Sequence, residues 1–199
     1  PPKKLDELTL KFAKQNHPNY PIEPKKAEVD SSEALSMVVK KGEGTIETRK
    51  VAFLIDKGTS KESVDALKKD LESEGAEAVL IAHKVGVFTF SEGDTAEIQH
   101  TYDTEASVCY DAVYTPGGNG VEKKLAANPD YFAFINEAYR HCKAIAFAKD
   151  VELLIDKSFV EKDKGVILES DGEKWTQKMI DVMKEHRIWE REEQRKVPI

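Results

Sequence analysis

The two cysteines, Cys109 and Cys142, are the strongest nucleophiles that this sequence offers. Each stands just before an apolar run that predicts a β-strand, residues 111–116 and 143–148 respectively. In a parallel sheet this places both thiols at the amino edge, whereas ligands bind at the carboxyl ends of the strands. His141 lies next to Cys142, but adjacent residues on a helix point about 100° apart and do not easily share a proton. Structural thiols are therefore the favoured interpretation.

The carboxyl ends of the predicted strands carry the remaining candidates, which are residues 56–60, His83, residues 115–118 and residues 148–150. A nucleophile elbow needs a serine or cysteine at the strand-to-helix turn, a nearby base and backbone donors for an oxyanion. Gly117 and Gly118 can supply the donors. At the turn itself, however, stands Ala148, which has no atom with which to attack; Lys149 and Asp150 follow it.

Two loops could either bind an anion or have only a structural role. Residues 59–62 could form a phosphate-binding loop, but Thr59 and Glu62 fit a helix capping box, which is the favoured interpretation. Residues 116–120, Pro-Gly-Gly-Asn-Gly, resemble an anion nest at a helix start. They lack the order of a P-loop, and a turn with positive φ angles is favoured.

Composition excludes several classes of function. A net charge of −7 with interspersed signs argues against a nucleic-acid surface. No apolar run approaches the roughly 18 residues of a membrane span. The two cysteines make no disulfide framework. The five histidines show no metal-binding spacing, so no metal site is expected.

The chain divides into an arm and a domain. Residues 1–47 predict an extended linker with a short helical piece, since five prolines fall within the first 30 residues. Residues 48–191 predict one compact domain, and 192–199 a tail. The start at Pro1 indicates a fragment or processed product, so the compartment stays open, with the cytoplasm as the default.

Apolar runs alternate with amphipathic stretches throughout the predicted domain. The predicted strands are residues 51–56, 78–83, 111–116, 143–148 and 165–170, with an inserted hairpin over 87–90 and 95–98. Continuous apolar strands of this kind are typical of a parallel sheet with helices on both faces. The predicted fold class is α/β, a three-layer flavodoxin-like domain with a mostly parallel sheet.

Four segments together resemble the C-terminal domain of large-subunit haem catalases, over residues 45–191. They are RKVAFLIDKGTSKESVDALKKDLESEGAEAVLIA, YDAVYTPGG, EAYRHCKAIA and MKEHRIWERE. The resemblance implies kinship with the PfpI and class I glutamine amidotransferase superfamily, in which a cysteine usually occupies the elbow. Ala148 stands at the matching position, and Glu62 lies at or beside that of the nucleophile's acidic partner.

The same resemblance implies what the domain does. The parent would convert hydrogen peroxide to water and oxygen through haem in its core, and no haem site is expected in this chain. The domain would pack on the catalase core and on neighbouring subunits, stabilise the tetramer and shape substrate access. Two alternatives stay open, a chaperone-like module that binds unfolded client proteins and a PfpI-like hydrolase or glyoxalase-type enzyme.

Overall fold

The computed structural model describes residues 44–194. Most of the predicted arm, residues 1–43, and the last five residues of the predicted tail lie outside the described residues. The strands, in chain order, are β1 (Lys50–Leu54), β2 (Glu77–Ala82), β3 (Gly86–Thr89), β4 (Thr95–Ile98), β5 (His100–Thr101), β6 (Ala112–Thr115), β7 (Ala144–Phe147) and β8 (Val166–Leu168). The α-helices are α1 (Lys61–Ser73), α2 (Val121–Ala126), α3 (Pro129–Arg140), α4 (Trp175–Lys184) and α5 (Glu190–Gln194). Three 3-10 helices span Ser107–Cys109, Lys149–Lys157 and Glu169–Asp171.

Six strands form one parallel sheet in the order β5-β2-β1-β6-β7-β8. Val51 of β1 is paired with Ala78 on one side and Ala112 on the other. β1, β6 and β7 are buried along nearly their whole length, as expected when both faces of a sheet are covered. The α/β class and the parallel sheet are therefore confirmed, and so is the inserted antiparallel hairpin, β3 with β4.

The cap of α1 differs from the predicted capping box by one residue. Ser60, not Thr59, is the N-cap, and its hydroxyl accepts from the Ser63 amide. Thr59 instead donates its hydroxyl to the Asp56 carbonyl at 2.7 Å and is fully buried. The turn after β1 therefore uses the threonine, which leaves the next hydroxyl to cap the helix, while Glu62 is exposed.

The buried face of α3 is rotated by about one residue from the predicted one. Helical spacing in the sequence predicts Phe132, Ile135 and Tyr139 on the inner face. Of these only Ile135 is fully buried, and the other two are partly buried at the margin. Tyr131 takes the central place because its hydroxyl lies 3.1 Å from the Thr115 hydroxyl. Pro129 is the first residue of the helix, as predicted.

The sequence pattern predicts a closing helix over residues 175–189 with Trp175, Met179, Val182 and Met183 turned inward, and the observed helix is shorter. It ends at Lys184 rather than near Trp189, because His186 adopts a left-handed φ of 70° that no α-helix accommodates. The chain then turns back, and the Ile188 amide donates to the Cys142 carbonyl at 2.7 Å. Trp175, Met179 and Met183 face inward as predicted, whereas Val182 is only partly buried.

Candidate functional site

Backbone hydrogen bonds join the loops that follow β1 and β6 at the carboxyl edge of the sheet. Thr59 and Gly118 form an isolated antiparallel bridge, and the Ser60 amide donates to the Gly117 carbonyl at 2.8 Å. A side chain on Gly118 would lie 2.1 Å from the Gly58 carbonyl oxygen, so backbone packs directly on backbone. The crevice in which such folds bind ligands is therefore narrowed by the loops themselves.

Ala148, at the predicted turn, has an ordinary extended backbone. Its φ and ψ are −67° and 155°, and its amide donates to the Thr115 carbonyl at 2.9 Å. A nucleophile elbow is a strained strand-to-helix turn that exposes its side chain, whereas Ala148 is 1% exposed. A 3-10 helix, Lys149–Lys157, follows it. The position thus lacks the reactive atom and also the strained backbone and exposure of an elbow.

The two backbone donors predicted for an oxyanion are engaged by the chain's own oxygens. The Gly118 amide donates to Asp150 Oδ2 at 2.8 Å, and the Gly117 amide donates to Ser63 Oγ at 2.8 Å. The Ser63 hydroxyl also lies 3.1 Å from the Tyr114 hydroxyl, so it faces a phenol rather than a base. An internal carboxylate therefore stands where a substrate anion would have to bind.

A second internal carboxylate occupies the N-terminus of α1. Glu92, in the turn between β3 and β4, accepts from the Ser60 hydroxyl at 2.6 Å and from the Lys61 amide at 3.0 Å. These two hydrogen bonds lower the pKa of Glu92 to about 2. Amides at a helix N-terminus are the groups that bind phosphate in flavodoxin-like carriers. The loop considered as a phosphate site is thus closed by a carboxylate from the inserted hairpin.

The remaining candidates at this edge lie apart from that arrangement. Lys149 is exposed, and its amide donates to Glu169 Oε2 at 2.7 Å. The side chain of Glu62 is exposed, and it makes no hydrogen bond to Ala148 or to any other described residue. His83 lies 3.8 Å from Asp56 at the ends of β2 and β1. The structure therefore brings Gly117, Gly118 and Asp150 together, but not Glu62.

The cysteines lie at the amino edge, as the sequence predicts. Cys142 is buried with a φ of 58°, Cys109 is exposed, and neither forms a disulfide. Beside them the ammonium group of Lys143 is buried and donates to the carbonyls of Ser107 and Tyr110, the latter at 2.6 Å. Burial lowers the pKa of Lys143 to about 8. This lysine ties the 3-10 helix that carries Cys109 to the sheet, which is a structural role.

Sequence reasoning missed Ser63, Glu92 and the Lys143 contacts, because each depends on residues at least 30 positions away. Within residues 44–194, no group of three His, Cys, Asp or Glu residues is arranged to hold a metal ion. None of the helices in that range is long and apolar enough to cross a bilayer.

The Glu92 carboxylate provides a test of this closed arrangement. We expect it to titrate near pH 2 and to return towards its ordinary value in a Ser60→Ala variant, because that variant removes the strongest donor. A lowered folded-state pKa adds stability that is complete above the unfolded value of 4.5 and is lost as pH falls towards 2. Carboxyl-carbon NMR titration measures the pKa directly. A Glu92 that titrates normally in the unmodified chain would show that the carboxylate does not occupy the helix.

Comparisons with known proteins show which family the chain resembles. Residues 47–193 match the family described as the C-terminal domain found in long catalases. The chain is 34% identical over 149 residues to Catalase HPII of Pseudomonas aeruginosa, covering 75% of this chain and 21% of that protein. It is 36% identical over 146 residues to a catalase of Alkalihalophilus pseudofirmus, covering 73% and 21%. The chain thus spans about a fifth of the length of these relatives.

A solved structure gives the fold relationship. A two-domain protein of Anabaena variabilis that contains DJ-1/ThiJ/PfpI-like and ferritin-like domains superposes with a TM-score of 0.52 at 22% identity. The match covers 59% of this chain and 34% of that one. At this identity the likeness concerns the fold alone, and it confirms the flavodoxin-like α/β assignment.

Proposed function

The chain belongs to the family of C-terminal domains found in long catalases, and from this we propose that it is an auxiliary domain without catalytic chemistry of its own. Its parent converts hydrogen peroxide to water and oxygen at a haem held in a preceding core. The domain packs on that core and on neighbouring subunits, where it stabilises the tetramer and shapes the route of substrate. These are roles of surfaces rather than of a reacting side chain.

One observation carries the proposal: the crevice at the carboxyl edge is filled from within. Ala148 offers a methyl group, Asp150 accepts from the Gly118 amide, and Glu92 covers the start of α1. A substrate carbonyl would need an activated attacking atom and free donors. Here both glycine amides are engaged, and the Ser63 hydroxyl beside them contacts a phenol rather than a base. The hydrolase or glyoxalase alternative is therefore not favoured by the geometry.

Haem does not suit the described residues. Haem needs an apolar pocket with an axial ligand such as histidine. Two surface clefts of the described part are lined mainly by charged side chains, one by residues of α1 with Glu92 and Asp94, the other by residues of 171–181. His83 and His100 lie beside Asp56 and Glu105 respectively. The proposal accordingly assigns the haem to the core.

The chaperone-like role stays an untested expectation. The exposed large apolar side chains of the described residues, Val85, Val87, Val108, Leu153 and Phe159, are distributed over several separate segments of the chain. Exposed apolar residues of this kind are normal on soluble domains and do not by themselves indicate a client-binding surface.

An activity assay of the 199-residue chain tests the absence of chemistry. We expect no turnover of methylglyoxal or of peptide esters above the buffer rate, because the Ser63 hydroxyl beside the Gly117 amide contacts a phenol rather than a base. The same assay on a Cys142→Ser variant controls for the buried thiol, and both proteins should unfold cooperatively to show that they are folded. Turnover by the unmodified chain that disappears in Cys142→Ser would contradict the proposal.

A further inference from the structure

Basic side chains converge at the amino edge of the sheet, opposite the closed crevice. Arg49 stands just before β1, and its Nη1 lies 3.1 Å from Asp111 Oδ1. Arg187, in the turn after α4, approaches the same oxygen, with its Nη1 at 4.0 Å. Two guanidinium groups thus share one carboxylate oxygen, although the protein as a whole is acidic.

Both oxygens of the Asp111 carboxylate already accept a hydrogen bond. Arg49 takes Oδ1, and the Lys50 amide donates to Oδ2 at 3.0 Å. Arg187 lies beyond hydrogen-bond distance of Asp111, and its Nη1 donates instead to the His186 carbonyl at 2.8 Å. One negative charge is therefore shared by two arginines, which leaves an excess of positive charge at this place.

The excess positive charge at Arg187 is partly shielded from solvent. The Arg187 side chain is only 18% exposed. Burial, followed by the charges of Arg187 and Arg49, lowers the pKa of His186. Burial also lowers the pKa of Arg187. The nearby charge of Asp111 raises this pKa, and the charge of Arg49 lowers it further. A buried charge normally has a close partner, whereas among the described residues Arg187 has only Asp111, 4.0 Å away and shared with Arg49.

Several guanidinium donors of Arg49 and Arg187 are not used within the described residues. The other guanidinium nitrogens of Arg49 and Arg187 make no hydrogen bond within the described residues, and none of them is a buried unsatisfied atom. They are therefore open to a ligand. His186 lies beside them with a φ of 70°, and strained backbone of this kind at a non-glycine residue clusters at functional sites.

We propose that Arg49, Arg187 and His186 form a binding site for a phosphate-type oxyanion. Planar guanidinium groups hold phosphate oxygens through paired hydrogen bonds, and a dianion compensates the excess charge that Asp111 leaves. The charges of both arginines act on the His186 imidazole, which becomes a further donor when it is protonated. The ligand is inorganic phosphate or the phosphate group of a small phosphomonoester, and the site is separate from the carboxyl-edge crevice.

The imidazole of His186 reports binding without any activity assay. We expect its NMR signal, assigned with a His186→Gln variant, to shift saturably as phosphate is added at constant ionic strength. The pKa of His186 should rise, because a bound anion favours the charged imidazole. The signals of His83 and His100, which lie beside other carboxylates, should not respond. Glycerol 3-phosphate tests whether the site also binds a phosphomonoester. A saturable shift of the His186 signal with this compound would extend the site to that class of ligand.

Two substitutions decide whether the arginines hold the anion. Arg187→Lys keeps the charge but loses the paired donors, and Arg49→Gln removes a charge; each should weaken phosphate binding by about tenfold or more. Lys178→Gln, an exposed lysine paired with Asp171 elsewhere, should leave it unchanged. The proposal is overturned by a linear, unsaturable shift in the unmodified chain, or by equal phosphate affinity in all three variants.

Discussion

Replacing Arg191 by alanine is expected to lower the free energy of unfolding by about 3–5 kcal/mol, the usual cost of removing one partner of a buried ion pair. Arg191 is 5% exposed, and its Nε and Nη2 donate to the two oxygens of Asp163 at 2.6 and 2.8 Å. Its Nη1 donates to the Lys143 carbonyl at 2.6 Å, and its guanidinium lies 4.2 Å from the centre of the Tyr139 ring. The substitution would leave a carboxylate and a carbonyl without these donors.

The measurement is urea unfolding at neutral pH, with Lys178→Ala as the control. Lys178 forms an exposed pair with Asp171 at 3.0 Å, and its loss should cost less than about 1 kcal/mol. A double-mutant cycle with Asp163→Ala should give a coupling energy of about 1–3 kcal/mol. Equal losses in Arg191→Ala and Lys178→Ala would show that the segment around α5 does not anchor the domain.

Substituting alanine for Gly118 is expected to destabilise the domain by about 3 kcal/mol or more, through strain and overpacking together. Gly118 has a φ of 151°, and a β-carbon there would lie 2.1 Å from the Gly58 carbonyl oxygen and 2.4 Å from the Ser60 nitrogen. Both neighbours are backbone atoms, so the backbone contact between the two loops would have to open.

Gly120→Ala is the matched control, because it lies in the same loop with a φ of 70° but has nothing within 4 Å of the added β-carbon. It should lower the free energy of unfolding by only about 1–2 kcal/mol, the cost of a side chain in a left-handed backbone conformation. Thermal or urea unfolding gives both values. If the two variants lose the same stability, the loops after β1 and β6 are not packed backbone on backbone, and the crevice is more open than the structure shows.

Local sequence patterns predicted the strands of the sheet except the short edge strand β5, and they were insufficient for the site. β1 and β7 are continuous apolar runs, and a run of that kind predicts a strand that is buried on both faces. The inner face of α3 was wrong by one residue, because the contact between Tyr131 and Thr115 sets the rotation of the helix. The end of α4 was wrong because a histidine rarely adopts the positive φ that stops it.

Long-range contacts explain what sequence reasoning missed at the carboxyl edge. Ala148 could be recognised as a residue without a nucleophile, since side-chain identity alone decides that. The occupants of the donors, Asp150 and Glu92, come from segments 32 residues away from the groups that they accept from. No pattern of spacing encodes such a pairing, because it depends on where the loops meet after folding.

The proposal that the domain works through its surfaces is tested most directly by removing it from the longer catalase. The variant ends before residue 44 of this sequence, and peroxide turnover per haem is measured together with the rate of thermal inactivation. The account predicts little change in turnover per haem and faster loss of the tetramer on heating. A variant that keeps its tetramer as long as the intact protein but loses most of its turnover per haem would contradict it.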